Sequence, residues 1–225
     1  MPGQIHLVRH AEGLHNLRQD VNIRDAPLSK RGCDNADALG RDFIAAHSDR
    51  VGAVISSPFR RSIQTSLIAF RRILDAGQYP ANMGVDAKPG VWLALDPALQ
   101  ELGDLPCNTG SPVNELKFKY PALSQLQRLD PNWYIKPQRN LPPAPQRQQE
   151  ILRPLERAQA DEGRREKPGL LVLIVCLTYL ILLCTKLYTD RAECVILCII
   201  LPVIYPYPVG TVRRFVSRQS NEIWP

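Results

Sequence analysis

The chain contains no Cys-x-x-Cys spacing, although it carries 6 cysteines. Cys176, Cys184, Cys194 and Cys198 fall in an apolar C-terminal stretch, and Cys33 and Cys107 stand alone. Zinc ribbons and dithiol redox motifs are therefore unsupported, and a reduced, intracellular setting is expected. No histidine follows His47, so His6, His10, His15 and His47 are the whole supply of imidazole. The opening MPGQIHLVRHAEG has no apolar run of the length a secretory signal needs, and no such leader is expected. There is no internal repeat. Neither sign of charge dominates: 28 Lys and Arg stand against 22 Asp and Glu, a net +6. That excess suits small anionic partners and is too diffuse to indicate nucleic acid.

What is present is enough for a core. At 225 residues and 44% hydrophobic, the chain should form one domain of ordinary size with room for an appendage. Residues 4–9 (QIHLVR) read as a short buried strand that ends in a polar, glycine-containing turn at 10–13. Residues 29–47 read as a helix, with Ala36, Leu39, Phe43 and Ile44 at helical spacing. A second strand at 52–55 breaks at Ser56-Ser57-Pro58 and opens a helix over 59–74. A third strand is expected within 90–95, a Gly/Pro/Asn/Ser-rich loop over 102–112, and a Pro-rich break at 141–145. A further helix is expected over 146–167, kinked at Pro154. Strands alternating with helices predict an α/β domain with a largely parallel sheet.

In such sheets ligands bind beyond the carboxyl ends of the strands. The first strand delivers Arg9 and His10 there, followed by Glu12, His15 and Asn16. The second delivers Ser56, Ser57 and Pro58, followed by Arg60 and Arg61. Guanidinium groups offer planar forks of donors that match phosphate oxygens, and neutral imidazole is a nucleophile. The combination points to attack on a phosphoryl group, a reaction that needs mainly positioning and charge stabilisation.

Four segments, in order, then carry a resemblance. LVRHAEGLHN (7–16) resembles the signature of the histidine phosphatase superfamily, the phosphoglycerate mutase-like proteins, with Ala11 where Gly is usual. Its Glu-Gly-x-His-Asn continuation looks like the fungal and plant branch. DAPLSKRG (25–32), SPFRRSIQT (57–65) and LQEL (99–102) followed by PCNTGS (106–111) resemble the family's next three segments. The resemblance covers about residues 4–167. It implies a phosphoglycerate mutase-like, three-layer α/β domain and hydrolysis of a small phosphorylated substrate through phosphohistidine, with phosphoglycerate mutase-type transfer as the further alternative. Residue by residue, it makes His10 the phosphoryl acceptor and Glu101 the acid that protonates the leaving oxygen and then activates water. It makes Arg9 and Arg61 the phosphate ligands, and places Asn16 and His15 on the substrate side. A working acid at Glu101 should have its pKa raised, by partial burial or by the phosphate. His6 reads as strand packing. No metal or organic cofactor is implied, and the sequence sets no oligomeric state.

One departure matters. The family places a second histidine in the phosphate pocket after a late core strand. Here the matching apolar run, 169–176, ends in Cys176, with Leu, Thr and Tyr following. Losing a donor that stabilises developing charge costs about 10²–10³-fold in rate, so the alternative is a catalytically impaired pseudoenzyme. The domain division expected is therefore 1–167 for an incomplete catalytic domain and 168–225 for a hydrophobic extension. That tail has three readings. Residues 169–185 carry no charge and fit a transmembrane helix, short in the range of about 17–25 residues. Residues 194–212 could return as a second span, and flanking Arg and Lys residues would hold both ends in the cytoplasm. This gives a cytoplasmic catalytic domain on a membrane anchor. Alternatively, 170–176 is the buried family strand, or the tail comes from a mis-read coding region and has no evolved role.

Overall fold

The computed structural model describes residues 4–47, 51–74, 90–91, 93–101, 103–136, 170–175 and 194–197. Five strands, β1 (Gln4–Arg9), β2 (Val51–Ser56), β3 (Leu93–Leu95), β4 (Leu170–Val175) and β5 (Cys194–Leu197), form one sheet in the order β3-β2-β4-β1-β5. Every pairing is parallel. Parallel neighbours require crossovers, and the two long helices supply the mass for them. These are α2 (Lys30–His47) between β1 and β2, and α3 (Arg60–Ala69) after β2. Two shorter helices, α1 (Leu14–Arg18) and α4 (Val113–Lys119), lie in the connecting segments.

The α2 helix forms where the sequence supplies a cap and a stripe. The Ser29 hydroxyl accepts the Gly32 N–H at 2.9 Å, which satisfies a donor of the first turn. Ala36, Leu39, Gly40, Phe43 and His47 then bury one face. The α3 helix is buried on most of its circumference, polar residues included, so its hydroxyls need internal partners. Thr65 Oγ1 donates to the Arg61 carbonyl at 2.7 Å and Ser66 Oγ to the Ser62 carbonyl at 2.8 Å. The main core gathers Val8, Leu39, Phe43, Val54, Phe59, Ile63, Phe70, Leu93, Leu116, Leu126 and Trp133 around the sheet. Burying a side chain of this size contributes roughly 1.5–3 kcal/mol. His6 belongs to the same region, edge-on to Phe43 at 5.4 Å and to His47 at 4.9 Å between ring centroids.

Gly32 is where the loop after β1 meets α2. A Cβ there would overlap the Glu12 carbonyl oxygen, a backbone atom that cannot swing aside. Alanine normally helps a helix by up to about 1 kcal/mol over glycine. Here overpacking against backbone should win, at about 1–3 kcal/mol. Gly32→Ala is therefore expected to lower the urea midpoint of unfolding; an unchanged or raised midpoint would show that the loop yields freely.

Of the three readings of the tail, the sheet supports the buried strand over residues 170–175 and corrects the membrane reading there. Leu170–Val175 is not part of a membrane helix: it is β4, hydrogen-bonded to β1 on one side and β2 on the other. A strand flanked on both sides in a parallel sheet is a continuous apolar run, and over six residues periodicity does not separate it from a helix. Cys194–Leu197 pairs with β1 as β5, so the start of the proposed second span is also a strand. No helix among the described residues is long and apolar enough to cross a membrane. The sheet thus runs across the boundary drawn at residue 167, and the expected extension supplies two of its strands. The rest of both proposed spans, the Pro-rich break at 141–145 and the helix expected over 146–167 lie outside the described residues.

Smaller differences are local. The helix expected over 59–74 runs Arg60–Ala69 and continues as turns, with the Leu74 N–H on the Phe70 carbonyl at 3.0 Å. The third strand shortens to Leu93–Leu95, while Val91 bridges Leu74 alone. The 102–112 loop contains a 3₁₀ turn at Pro106–Asn108.

Candidate active site

The site lies at the carboxyl edge of the sheet. Arg9 closes β1 and His10 follows it; β2 ends at Ser56, and Ser57, Pro58 and Phe59 lead into α3, whose second residue is Arg61. β3 ends at Leu95 and leads, through a 3₁₀ turn, to Glu101 and the loop that holds Cys107. Four tethers fix these segments. The Ala11 N–H donates to Thr65 Oγ1 at 3.0 Å, and Ala11 packs beside Leu28 and Ala36. The Leu28 N–H donates to Gln64 Oε1 at 2.7 Å. The Ser29 hydroxyl donates to Glu12 Oε1 at 2.6 Å, and Arg31 donates to both Glu12 oxygens. Those bonds hold the Glu12 carboxyl below its ordinary pKa, Arg31 contributing most, against the opposing effect of burial.

Asp25 is the fourth tether. Its backbone is left-handed, φ 40°, a conformation that Asp tolerates better than most residues. One carboxylate oxygen accepts the Arg60 N–H at 2.9 Å and the other accepts the Ser111 N–H at 2.9 Å. It therefore joins the start of α3 to the far end of the Cys107 loop. Burial raises its pKa, and the two N–H donors and the Arg61 charge act the other way. The loop is held from outside as well. The Trp133 indole N–H donates to the Ser111 carbonyl at 3.1 Å, Arg24 donates twice to the Gly110 carbonyl, and Lys136 donates to the carbonyls of Gly103 and Asn108.

Within this frame His10 is 3% exposed and Arg61 1%. His10 Nδ1 lies 2.7 Å from the Ala11 carbonyl oxygen, which can only accept, so Nδ1 carries the proton. Nε2 therefore presents a lone pair, and the Arg61 Nε–H donates to it at 3.1 Å. The Arg61 Nη1–H donates to the Cys107 carbonyl at 3.0 Å, and the guanidinium sits 4.2 Å over the Phe59 ring. Burial first, then the charges of Arg61 and Arg9, push the His10 pKa well below its ordinary value. The imidazole is neutral in the neutral pH range, with its lone pair at Nε2 accepting from Arg61.

His15 shares the space. Its ring centroid is 6.3 Å from that of His10, and burial, Arg61 and Arg9 push its pKa down to about 4. Asn16 turns its Oδ1 back to the Gly13 N–H at 3.1 Å, closing the start of α1. Glu101 is 8% exposed, and its charge acts on the Cys107 thiol, whose own backbone carbonyl holds Arg61. His10, Arg61, Arg9 and His15 are thus brought together, Glu101 lies along the loop wall, and Asn16 serves the α1 turn. Among the described residues no group of three His, Cys, Asp or Glu side chains is placed to hold a metal ion. Sequence reasoning missed Asp25, Gln64, Thr65 and the Cys107 carbonyl as parts that position the site. Asp25 and the Gln64-Thr65 pair stood inside the quoted segments, but nothing local in them announced a tether to residues up to 86 positions away.

Residues 5–77 match the profile described as Histidine phosphatase superfamily (branch 1). Over those residues the chain is similar to that superfamily, and its curated phosphoglycerate mutase-like relatives support the likeness. It is 33% identical over 141 residues to an Arabidopsis thaliana protein named "Phosphoglycerate mutase-like protein", a stretch covering 53% of this chain and 52% of that one. It is 27% identical over 120 residues to a Schizosaccharomyces pombe protein named "Probable phosphatase", covering 52% and 50%. The chain spans about half the length of the curated relatives it matches. In fold it is similar to the ecdysone phosphate phosphatase of Bombix mori, solved in complex with tungstate: the TM-score is 0.51 at 15% identity, covering 92% of this chain and 83% of that one. The histidine phosphatase resemblance and the α/β phosphoglycerate mutase-like fold read from the sequence both stand.

Proposed function

We propose that the chain hydrolyses a phosphomonoester through a phosphohistidine on His10. The observation that carries this reading is the neutral, buried imidazole whose unprotonated Nε2 faces a buried guanidinium. The lone pair of Nε2 attacks phosphorus, the bond to the ester oxygen breaks, and Glu101 gives that oxygen its proton. Water then loses a proton to Glu101 and attacks phosphorus, and the N–P bond breaks. Arg61 must first transfer its Nε–H from His10 to a phosphate oxygen, so substrate binding itself releases the nucleophile. Arg9 shares the charge of the phosphoryl oxygens, and His15 borders the same space. The superfamily match over residues 5–77 and the phosphatase name of the fission-yeast relative support phosphoryl transfer to water. The substrate is a small phosphorylated molecule.

The test is the pH dependence of kcat/KM on an aryl phosphate. A free imidazole titrates near 6.5. His10 is displaced well below that value, so the nucleophile stays unprotonated as the pH falls through 6.5. After allowance for the ionisation of the substrate, the acidic limb should lie clearly below pH 6.5. A limb at 6.5 or above would contradict the buried, neutral nucleophile. Turnover without an acid-labile phosphoryl-enzyme would reject the phosphohistidine route.

A further inference from the structure

We infer that His15 is a proton-coupled anion ligand: its imidazole takes up a proton when an oxyanion enters the space between Arg9, Arg61 and itself, and then donates to that anion. The inference rests on the phosphate site proposed above and adds a role for His15 that the proposed reaction does not use. Three observations on the ring carry it.

Nδ1 of His15 is buried and has no hydrogen-bond partner among the described residues. A buried polar atom without a partner is costly, and a site that keeps one needs a reason. The turn also leaves room for the ring in this place: a Cβ at position 13 would stand 2.7 Å from both Cε1 and Nδ1 of His15, and Gly13 has none. Finally, the ring faces His10 across 6.3 Å between centroids. That is too far for one imidazole to hydrogen-bond the other, since N–H···O and similar contacts need about 3 Å. Both rings instead border Arg61 and Arg9, so an anion held by those guanidinium groups comes within reach of each.

The groups bearing on His15 are Arg61 of α3, with Arg9 and His10 from the end of β1. With the pocket empty, two guanidinium charges and burial keep the imidazole neutral. A dianion reverses the sign of the nearest charge. It favours the imidazolium and supplies the acceptor that the ring lacks. Binding and protonation are then linked: each strengthens the other by the same factor.

The probe is sulfate, which stays a dianion from pH 5 to 8 and so contributes no proton change of its own. In the intact protein, sulfate affinity should fall about tenfold per pH unit over the interval between the free and bound pKa values of His15, with uptake of one proton on binding. In His15→Gln the slope should vanish, and the affinity at pH 5.5 should drop to that of the unaltered protein at high pH. Should the variant not fold, histidine C2–H signals of the unaltered protein give the same answer. Only four such signals exist, and the one assigned to position 15 should move its titration upward when sulfate saturates the site. Sulfate binding that is pH-independent, or a slope that survives in His15→Gln, overturns the inference and leaves the phosphate pocket standing. No sulfate binding at any pH overturns the pocket, and the role of His15 with it.

Discussion

His10→Gln is expected to remove phosphomonoester turnover by on the order of 10⁴–10⁶-fold, the scale on which loss of a nucleophile is felt, while the fold survives. The two halves of that expectation have separate causes. Glutamine offers no lone pair basic enough to displace an alkoxide from phosphorus, so no covalent intermediate forms and no acid-labile label is retained. Its side chain is nonetheless short enough for the site and polar at its end. The amide oxygen can accept the Arg61 Nε–H that His10 Nε2 accepts at 3.1 Å, so the buried guanidinium keeps that acceptor. The variant should therefore unfold within about 1–2 kcal/mol of the parent, since one hydrogen bond, that to the Ala11 carbonyl, is lost or remade. Turnover on an aryl phosphate and the urea midpoint measure the two halves. Activity undiminished in a folded His10→Gln protein would remove the proposed nucleophile; an unfolded variant would mean that the imidazole is chiefly structural.

The site was largely legible because its chemistry is concentrated at strand ends. Arg9-His10 and Pro58-Phe59-Arg60-Arg61 each sit where a short apolar run stops, and in a parallel sheet the two carboxyl ends lie on one edge. What could not be read is how that edge is held. Asp25 reaches Arg60 and Ser111, Gln64 reaches Leu28, and Thr65 reaches Ala11. These are long-range bonds made by residues that, seen singly, are ordinary surface types. The α1 turn escaped because five residues are too few to show a period. The strand β4 stays one of three readings in the sequence for the opposite reason. Its pattern is strong, but a chargeless apolar run looks alike in a bilayer and in the middle of a parallel sheet. Only its register, Val8 against Ile174 and Ser56 against the same Ile174, places it between β1 and β2. Since β4 lies between the two strands that deliver His10 and Arg61, it sets their spacing. The geometry of the pocket therefore depends on a segment that composition alone leaves open between a buried strand and a membrane span.

Arg61→Met should cost about 10²–10³-fold in turnover and should move the acidic limb of the pH profile upward. The first effect is the loss of a preorganised donor aimed at developing phosphoryl charge, worth about 2.7–4 kcal/mol by analogy with oxyanion donors. The second follows from the order of causes at His10. Burial is the largest, and methionine preserves it; the Arg61 charge comes next, and methionine removes it. The His10 pKa should then rise part of the way towards its ordinary value and stay below it. The same substitution strips a donor from the Cys107 carbonyl and from His10 Nε2, at roughly 1–3 kcal/mol for each acceptor left dry. Some of that is returned, because a guanidinium that is 1% exposed is itself expensive to desolvate. A net loss of about 1–3 kcal/mol in stability is expected. Arg61→Lys should not restore the rate. An ammonium is a point charge and cannot reach His10 Nε2 and the Cys107 carbonyl in one fixed fork while lying flat over Phe59. The shift in the limb is the discriminating readout, because a purely structural arginine would lower the rate at every pH alike. If Arg61→Met keeps its turnover within about fivefold, or loses rate with the limb unmoved, the guanidinium is not the phosphate ligand that holds the nucleophile neutral.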